Sequence, residues 1–301
     1  MEEKMKKKKI VVGILIATMT LMAVLTGCGS KEEPEKTAKE SDVKGTIVAV
    51  GSSALQPLAQ QVAKDFQKQY PEATVTVQGG GSGMGLSQIA SGAVQIGNSD
   101  IFAQDKGIDA KDLLDNKVAV VGMGPVVNKD VKVSNITQEQ LIKIFTGEVK
   151  NWKDVGGQDL PIVVINRAEG SGTRATFEKF GLNGNSSMKA QEQDNSGSVL
   201  KIVKETPGAI SYLAFSYYTD DVKPLSIDGV KPEQKNVENN SWKIWSYEHM
   251  YTNKDMDPVT KAYIEFIQSK DVQEKLIPKL GYIPMTGMKV ERDADGQITE
   301  K

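Results

Sequence analysis

Cysteine and histidine are almost missing from this sequence of 301 residues. Its only cysteine is Cys28 and its only histidine is His249. A single cysteine excludes an intrachain disulfide, and the two residues are too few for a cysteine and histidine metal cluster. A Ser-His-Asp triad would depend on His249 alone, so we interpret this histidine as a structural residue. These counts argue against a metal cluster and a histidine-dependent catalytic triad. We expect no metal ion, no cofactor and no catalytic residue.

Basic residues do not outnumber acidic ones, and arginine is scarce. The chain has 37 lysines and arginines against 39 aspartates and glutamates, and only three of the basic residues are arginines. Nucleic-acid-binding domains usually carry a basic patch, so this balance argues against a nucleic-acid partner. An anion would have to be held by local dipoles and individual arginines.

The first 27 residues have the pattern of an export signal. Five lysines between residues 4 and 9 precede an apolar stretch, residues 10–24, that is too short for a stable membrane span. The segment ends in Leu25-Thr26-Gly27-Cys28, which resembles a bacterial lipobox. The resemblance implies a lipoprotein signal peptide over residues 1–27. It also implies that Cys28 carries the lipid, palmitate included, and anchors the chain on the extracytoplasmic side of the cell membrane. Two or more acyl chains are needed, because one gives only marginal binding.

Residues 28–44 have the composition of a flexible tether. From Ser30 to Lys44 the chain is rich in lysine and glutamate, contains Pro34 and has almost no apolar residue. Such a segment cannot bury enough apolar surface to fold by itself. The folded part therefore begins near Gly45 and is long enough for one large or two medium domains.

Three predicted strands each run through a turn rich in glycine and hydroxyl residues into a helix. The turns are Gly51-Ser52-Ser53, Gly79–Gly85 with five glycines, and Asn166–Thr173. A helix start has free N–H groups and the positive end of the helix dipole, and both favour an anion. Taken alone, the third turn could be an ordinary turn with a serine or threonine cap, Ser53 could be only a cap, and the glycine-rich turn could be only a flexible linker.

Two capping boxes are predicted from the sequence. Ser53 with Gln56 fits one at the first of these helices, and Thr137 with Gln140 fits another farther along. On this interpretation the Ser53 hydroxyl caps its helix, and it also lies beside the free N–H groups that would contact an anion.

The third turn and the helix that follows it contain two of the three arginines. Arg167 lies in the turn itself, and Arg174 is expected on the outer side of the following helix. A planar guanidinium group can hold two oxygens at once, which a lysine cannot. The glycine-rich turn is not a Walker A loop, because Leu86 occupies the lysine position. It is not a nucleophile elbow either, because Met84 occupies the position of the second glycine.

A carboxylate, Asp100, follows the short predicted strand Val94–Gly97. The position just past the carboxyl end of a strand is where α/β proteins bind ligands, although Asp100 alone would equally suit a turn. Farther along the chain, Ser196 and Ser198 are interpreted as helix caps. The polar sequence from Gly287 onward is interpreted as a surface tail.

Together these motifs resemble the substrate-binding protein of bacterial phosphate-specific ABC transporters. The resemblance spans nearly all of residues 45–285 and rests on Gly51-Ser52-Ser53-Ala54, Gly81-Ser82-Gly83, Gly97-Asn98-Ser99-Asp100, Arg167–Thr173, Pro207-Gly208-Ala209-Ile210 and Gly281-Tyr282-Ile283-Pro284. It implies an α/β, two-lobed periplasmic-binding-protein-like fold of type II, with the ligand cleft between the lobes. Residues 45–124 and 246–301 would form lobe 1, and residues 125–245 would form lobe 2.

The resemblance also implies a phosphate site and a transport partner. The matching ligand positions are Ser53, Ala54, Ser82 and Asp100 in lobe 1, and Arg167, Ser171, Gly172 and Thr173 in lobe 2. Glu169 matches a carboxylate that holds the arginine in place. The implied protein is a monomer and not an enzyme, and it captures inorganic phosphate and delivers it to the permease subunits of an ABC transporter.

Two other hypotheses stay open. The site could hold another oxyanion, such as sulfate or molybdate. The protein could also be an exported phosphatase or serine hydrolase that uses Ser82 or Ser171 as nucleophile. The second hypothesis is opposed by the lack of metal-binding residues and of a second histidine.

Replacing Cys28 by alanine tests the predicted anchor. If Cys28 carries the lipid, Cys28→Ala should still fold and bind ligand, but it should be shed from cells or remain an unprocessed precursor. Immunoblots of membrane and soluble fractions measure this, with Ser30→Ala as the matched control. Wild-type membrane retention together with unchanged processing in Cys28→Ala would contradict lipidation.

Overall fold

The structure is a computed structural model that describes residues 43–301. The predicted signal peptide, the predicted lipidation site Cys28 and most of the predicted tether lie outside the described residues. Within the described range, no helix has both the length and the apolar character needed to cross a membrane.

Strands and helices alternate along most of the described chain. The strands are β1 (Gly45–Gly51), β2 (Ala73–Gly79), β3 (Ile96–Ser99), β4 (Leu113–Asn128), β5 (Asn135–Ile136), β6 (Val163–Arg167), β7 (Gln191–Gln193), β8 (Ala209–Ala214), β9 (Val222–Pro224), β10 (Ser226–Ile227), β11 (Trp245–Asn253), β12 (Val290–Arg292) and β13 (Ile298–Glu300). The α-helices are α1 (Gln56–Gln69), α2 (Ser82–Ala90), α3 (Gln138–Thr146), α4 (Gly172–Thr176), α5 (Ser196–Glu205), α6 (Gln234–Glu238), α7 (Pro258–Gln268) and α8 (Ile277–Lys279). Short 3₁₀ turns lie at Ala103–Lys106, Trp152–Val155, Phe215–Tyr217 and Met285–Gly287, and π-helical turns lie at Phe177–Gly181 and Val272–Leu276.

A nine-stranded sheet runs through the protein in the order β2-β1-β3-β11-β4-β8-β6-β7, with β9 beside β4. Strand β1 pairs in parallel with β2 and β3, and β6 pairs in parallel with β7 and β8. Neighbouring parallel strands end at the same edge of a sheet. The turns that follow β1, β2 and β3 are therefore neighbours, and so are the turns that follow β6 and β7.

The long strand β4 takes part in both halves of this sheet. Up to Gly122 it pairs with β11, and from Met123 onward it pairs with β8. Helices α1, α2 and α7 contact the strands of the first half, whereas α4 and α5 contact those of the second. This is a two-lobed α/β architecture. The lobe limits given above, 45–124 with 246–301 and 125–245, stay a prediction.

Helix α1 shows how the N-terminal and C-terminal parts of the chain share one core. Its buried face includes Leu58, Val62 and Phe66, whose spacing of four residues forms an apolar stripe along the helix. The Phe66 ring packs edge-on against Tyr263 and Phe266 of α7, with ring centroids 5.3 and 5.6 Å away. The chain therefore returns to the first half of the fold after it has built the second.

The predicted capping box at α3 is confirmed. Thr137 Oγ1 accepts a hydrogen bond from the Gln140 N–H at 3.1 Å, and Gln140 Oε1 accepts one from the Thr137 N–H at 2.9 Å. Two of the free N–H groups at this helix start are thereby satisfied within four residues of sequence.

The interpretation of the C-terminal segment as a surface tail is wrong. Strand β12 pairs with β13, and Arg292 is 6% exposed. The Arg292 guanidinium lies 3.8 Å from the centre of the Phe180 ring and 3.9 Å from that of Trp245, and Nη2 donates to the Lys243 carbonyl at 3.0 Å. Burial lowers the pKa of Arg292 to about 9, which leaves it charged at neutral pH. A polar sequence thus packs closely because its arginine stacks on two aromatic rings.

Candidate ligand-binding site

The turn between β1 and α1 is capped by Ser52, not by Ser53. Ser52 Oγ accepts hydrogen bonds from the N–H groups of Ala54 and Leu55, both at 3.0 Å. The predicted capping box of Ser53 with Gln56 is therefore wrong, since Gln56 is the first residue of α1 and Leu55 precedes it without a side-chain cap. As a result the Ser53 hydroxyl is not used by its own helix and is turned toward the second half of the fold.

The turn between β2 and α2 contacts the second half through its backbone. The Gly83 N–H donates to the Gly170 carbonyl at 3.0 Å. Gly81 has φ of 84°, and a β-carbon there would lie 2.9 Å from the same carbonyl oxygen. Only glycine combines this backbone conformation with such a close approach. Ser82 begins α2, is fully buried, and its Oγ accepts a hydrogen bond from the Asp100 N–H at 2.9 Å.

Asp100 follows β3 and points into the space between the two halves. It is 1% exposed, and its Oδ2 accepts a hydrogen bond from Thr173 Oγ1 at 2.7 Å. The other oxygen, Oδ1, is buried and has no hydrogen-bond partner among the described residues. Asp100 therefore joins the first half to the second and keeps one acceptor available.

Arg167, the last residue of β6, is the positive charge of the site and is 1% exposed. Its donors meet four acceptors: Nε bonds the Gln193 carbonyl at 3.2 Å, Nη1 bonds Ser196 Oγ at 3.0 Å, and Nη2 bonds both Ser53 Oγ and the Asp194 carbonyl at 3.1 Å. Burial lowers the pKa of Arg167, and the negative charge of Asp100 opposes that shift. An arginine keeps its charge at neutral pH under these conditions.

Two expectations about the neighbours of Arg167 are corrected. Glu169 is exposed, and no hydrogen bond joins its carboxylate to Arg167 in the described part of the chain. The carbonyls of Gln193 and Asp194 hold the guanidinium instead. Arg174 does not lie on the outer side of its helix, because its Nη1 donates to the Arg167 carbonyl at 2.8 Å.

Arg174 also braces the β6 turn through two carboxylates. Its Nε bonds Glu178 Oε1 at 2.9 Å, and its Nη1 bonds Glu192 Oε1 at 2.8 Å. Its side chain is 13% exposed. Arg174 therefore supports the turn from behind and does not face the cleft.

The start of α4 brings the remaining predicted residues into the same place. Ser171 caps the helix, since its Oγ accepts from the Arg174 N–H at 3.2 Å. Gly172 and Thr173 form the first turn, whose N–H groups have no acceptor within the helix, and both are buried. A β-carbon on Gly172 would lie 2.2 Å from Ser82 Oγ and 3.0 Å from the Asp100 β-carbon. The two halves meet here without room for a side chain.

The structure thus brings the predicted ligand residues from both halves together, and it places Ser196 beside Arg167 and Ser53. Ser196 begins α5 and is fully buried, and its N–H donates to Ser53 Oγ at 3.2 Å. The prediction that Ser196 caps this helix is wrong, because Asn195 is the cap and its Oδ1 accepts a hydrogen bond from the Ser198 N–H at 2.8 Å. The signal was present in the sequence, since β7 also runs through Asp194-Asn195 into a serine at a helix start.

Two tyrosines hold the β1 turn in position. Tyr217 donates its hydroxyl proton to the Ser53 carbonyl at 2.7 Å, and Tyr282 donates to the Ala54 carbonyl. Burial raises the pKa of Tyr217 to about 12, so its hydroxyl stays protonated and remains a donor. Because Tyr217 and Tyr282 lie far apart in the sequence, this turn is fixed from two directions.

The single histidine, His249, contacts Asp115 and Tyr251. His249 is fully buried in β11, its Nδ1 is 2.7 Å from Asp115 Oδ1, and its ring stacks on Tyr251 at 5.5 Å. Within residues 43–301, no hydrogen bond joins His249 to Ser82 or Ser171. The same residues contain no group of three histidine, cysteine or acidic side chains placed to hold a metal ion.

The sequence matches known families over most of its length. Residues 36–271 match the model of a PBP superfamily domain. The chain is 48% identical over 300 residues to the phosphate-binding protein PstS of Bacillus subtilis strain 168, an alignment that covers 97% of this chain and 99% of the relative. It is 25% identical over 315 residues to PstS of Pseudomonas aeruginosa PAO1, which covers 92% of this chain and 96% of the relative.

Solved structures with the same fold include two from phosphate transport. A phosphate ABC transporter substrate-binding protein with bound phosphate, from Clostridium perfringens, gives a TM-score of 0.75 at 28% identity, covering 80% of this chain and all of the other. An ABC-type phosphate transport receptor from Vibrio cholerae gives a TM-score of 0.65 at 27% identity, covering 79% and 99%.

Gly172→Ala tests the close approach of the two halves. The added methyl group would overlap Ser82 Oγ, so we expect the free energy of unfolding to fall by about 1–3 kcal/mol, as for other overpacked sites. Chemical denaturation measures this loss. Gly170→Ala is the matched control, because a β-carbon there meets nothing within 4 Å, and its free energy of unfolding should change by less than about 0.5 kcal/mol. Equal stability of both variants would mean that the halves do not meet at Gly172.

Proposed function

The chain belongs to the PBP superfamily and to the PstS family of phosphate-binding proteins, and from that premise we propose that it captures inorganic phosphate outside the cell membrane and delivers it to the permease of an ABC transporter. The family membership confirms the resemblance and the fold class predicted from the sequence. The relatives are binding proteins and transport receptors by name, which favours capture over catalysis.

One observation carries the proposal: a buried cation and a buried carboxylate acceptor lie in the same ring of hydroxyl groups. Arg167 and Asp100 are each 1% exposed, and the hydroxyls around them belong to Ser53, Ser82 and Thr173. A small, multiply charged anion loses its hydration in such a place, which is costly unless nearly every oxygen meets a donor. The N–H groups at the starts of α1, α2 and α4 can supply those donors without further positive charge.

We assign the ligand contacts to the predicted positions. Ser53, Ala54, Ser82 and Asp100 would contact phosphate from one half, and Arg167, Ser171, Gly172 and Thr173 would contact it from the other. The Ala54 N–H also donates to Ser52 Oγ, so its bond to phosphate would be shared. Ser196 supports Arg167 and Ser53 from behind.

Asp100 is the reason to prefer phosphate over sulfate. A carboxylate repels an anion unless the anion donates a hydrogen bond to it. Phosphate near neutral pH keeps at least one P–OH group, which can donate to the unpartnered Oδ1 of Asp100. Sulfate has no proton to give, and a buried acceptor left without a donor can reject an analogue by orders of magnitude.

The transport role extends beyond the cleft. We propose that Cys28 carries the lipid anchor, that residues 28–44 link it to the folded part, and that the protein acts as a monomer. The lobes would have the predicted limits and would open and close around phosphate. A membrane-anchored receptor of this kind keeps its ligand near the permease.

The two rival functions make different predictions in solution. A receptor for sulfate or molybdate would bind those anions more tightly than phosphate in a calorimetric titration. A phosphatase or serine hydrolase would release product from a chromogenic phosphate ester. The contacts oppose the enzyme, since Ser171 Oγ caps α4 and Ser82 Oγ accepts from the Asp100 N–H.

Asp100→Asn tests the selectivity argument. The amide oxygen can still accept from the phosphate P–OH group, whereas the amide N–H can now donate to sulfate. We expect phosphate affinity to fall by about threefold and the phosphate-to-sulfate affinity ratio to fall by at least about tenfold, or ~1.4 kcal/mol. Calorimetric titration of both anions measures the ratio.

The control removes a neighbouring charge outside the hydroxyl ring. Asp105 pairs with Lys179 at 3.6 Å, so Asp105→Asn should leave the ratio unchanged. An unchanged ratio in Asp100→Asn would mean that Asp100 is only a turn residue.

Arg167→Lys tests the guanidinium fork. Lysine keeps the charge but cannot reach the four acceptors and the anion together. We expect phosphate affinity to fall by about 10- to 100-fold, or ~1.5–3 kcal/mol, the range for a hydrogen bond to a charged group. The dissociation constant for phosphate is the measurement.

The matched control is the same change at the other deeply buried arginine. Arg292→Lys should lower the thermal midpoint, because Arg292 stacks on Phe180 and Trp245, but it should keep the affinity within about threefold. Equal losses of affinity in the two variants would show that global stability, not the fork at Arg167, determines binding.

A further inference from the structure

A second carboxyl group lies directly behind Asp100. Strands β11 and β3 are antiparallel, with His249 opposite Ser99 and Met250 opposite Asn98. Glu248 of β11 and Asp100 after β3 each lie one residue beyond the last pair of this ladder. Their carboxyl groups are in contact, and a hydrogen bond to Asp100 is among the causes that raise the pKa of Glu248.

Within residues 43–301, no lysine, arginine or histidine forms an ion pair with Glu248. It is fully buried, and neither carboxyl oxygen has a hydrogen-bond partner other than Asp100 in this part of the chain. The titratable groups that face it are Asp100 after β3, Tyr217 before β9 and Tyr282 after α8. Both tyrosine hydroxyl protons are already donated, to the carbonyls of Ser53 and Ala54.

Two adjacent buried carboxyl groups cannot both be ionised, and the surroundings decide which one keeps the proton. Asp100 accepts a hydrogen bond from Thr173 and lies in the field of Arg167. Glu248 has neither. Burial raises the pKa of Glu248 well above its ordinary value, and the charge of Asp100 raises it further.

We propose that Glu248 carries a proton at neutral pH, donates a hydrogen bond through it to the Asp100 carboxylate, and thereby positions Asp100 to accept a hydrogen bond from the P–OH group of phosphate. This inference rests on the proposed phosphate function. A protonated carboxyl group needs an acceptor, and the unpartnered Oδ1 of Asp100 is the one beside it. Each carboxylate oxygen has two lone pairs, so Oδ1 can accept from Glu248 and from the ligand.

This arrangement explains how a site with one arginine tolerates two acidic residues. With Glu248 neutral, Arg167 and Asp100 balance each other, and the anion meets no second negative charge. Thr173 on Oδ2 and Glu248 on Oδ1 fix the plane of the Asp100 carboxylate. Glu248 is thus a positioning residue that acts through Asp100 and also sets selectivity for a protonated anion.

Two substitutions of Glu248 by side chains of similar size distinguish the effect of its hydrogen-bond donor from the effect of its shape. Glu248→Gln keeps a neutral donor, so phosphate affinity and the phosphate-to-sulfate ratio should stay within about threefold of the wild type. Glu248→Met removes the donor, so phosphate affinity should fall by about tenfold or more and the ratio should fall with it. Calorimetric titration with phosphate and sulfate measures both quantities.

Infrared spectroscopy can detect the proposed proton on Glu248 directly, in the absence of ligand. The infrared spectrum of the wild type at neutral pH should contain the carbonyl band of a protonated carboxyl group, and this band should be missing from Glu248→Gln. It should persist in Glu72→Gln, which neutralises an exposed glutamate. The infrared measurement does not depend on phosphate binding. It therefore tests the protonation of Glu248 even if the wild type does not bind phosphate and the proposed function is wrong.

The pH dependence of thermal stability is a third test of the proposal. A carboxyl group whose pKa is raised by folding stabilises the protein most below its ordinary pKa, near 4.3, and that contribution is lost as the pH rises. Relative to the wild type, Glu248→Gln should therefore gain thermal stability as the pH increases from about 4 to 8. Glu72→Gln should not.

Three results would overturn the proposal. The first is tighter phosphate binding by Glu248→Gln together with no carboxyl band in the wild type, which would mean that Glu248 is ionised. The second is wild-type affinity and selectivity in Glu248→Met, which would mean that Asp100 does not need the donor. The third is a pH dependence of stability that is identical in Glu248→Gln and the wild type.

Discussion

One buried charge, Arg167, determines how the cleft is arranged. A guanidinium group that is 1% exposed is tolerated only when its N–H groups find acceptors. The acceptors are the carbonyls of Gln193 and Asp194 and the hydroxyls of Ser53 and Ser196. Because Ser53 belongs to the turn after β1 and the other three follow β6 in sequence, the bonds that satisfy Arg167 also fasten the two halves together.

Much of this could be predicted from the sequence, because it depends on local chemistry. The strands before Gly51, Gly79 and Arg167, and the capping box at Thr137, follow from patterns within a few residues. The adjacent pair Ser52 and Ser53 could not be resolved in the same way. Both have the same side chain, and only the direction in which the chain leaves β1 decides which hydroxyl caps α1 and which one meets Arg167.

The remaining features depend on contacts between distant parts of the chain. Glu169 lies two residues from Arg167, yet the partners of that arginine come from the turn after β7. Arg292 is buried because Phe180 and Trp245 come to it from elsewhere in the fold. Glu248 is an ordinary glutamate in the sequence, and only the packing of β11 beside β3 brings it next to Asp100. Sequence patterns describe the turns, but not which turns meet.

The overall charge of the chain affects the rate at which an anion binds and the affinity with which it is held in different ways. With more acidic than basic residues, the protein has no net positive field to steer an anion toward the cleft. Binding then depends on short hydrogen bonds in a dehydrated space, where salt screens charges much less than it does at the surface. Such a site gains little speed of association from electrostatics, and its affinity depends on its hydrogen-bond donors more than on the net charge of the chain.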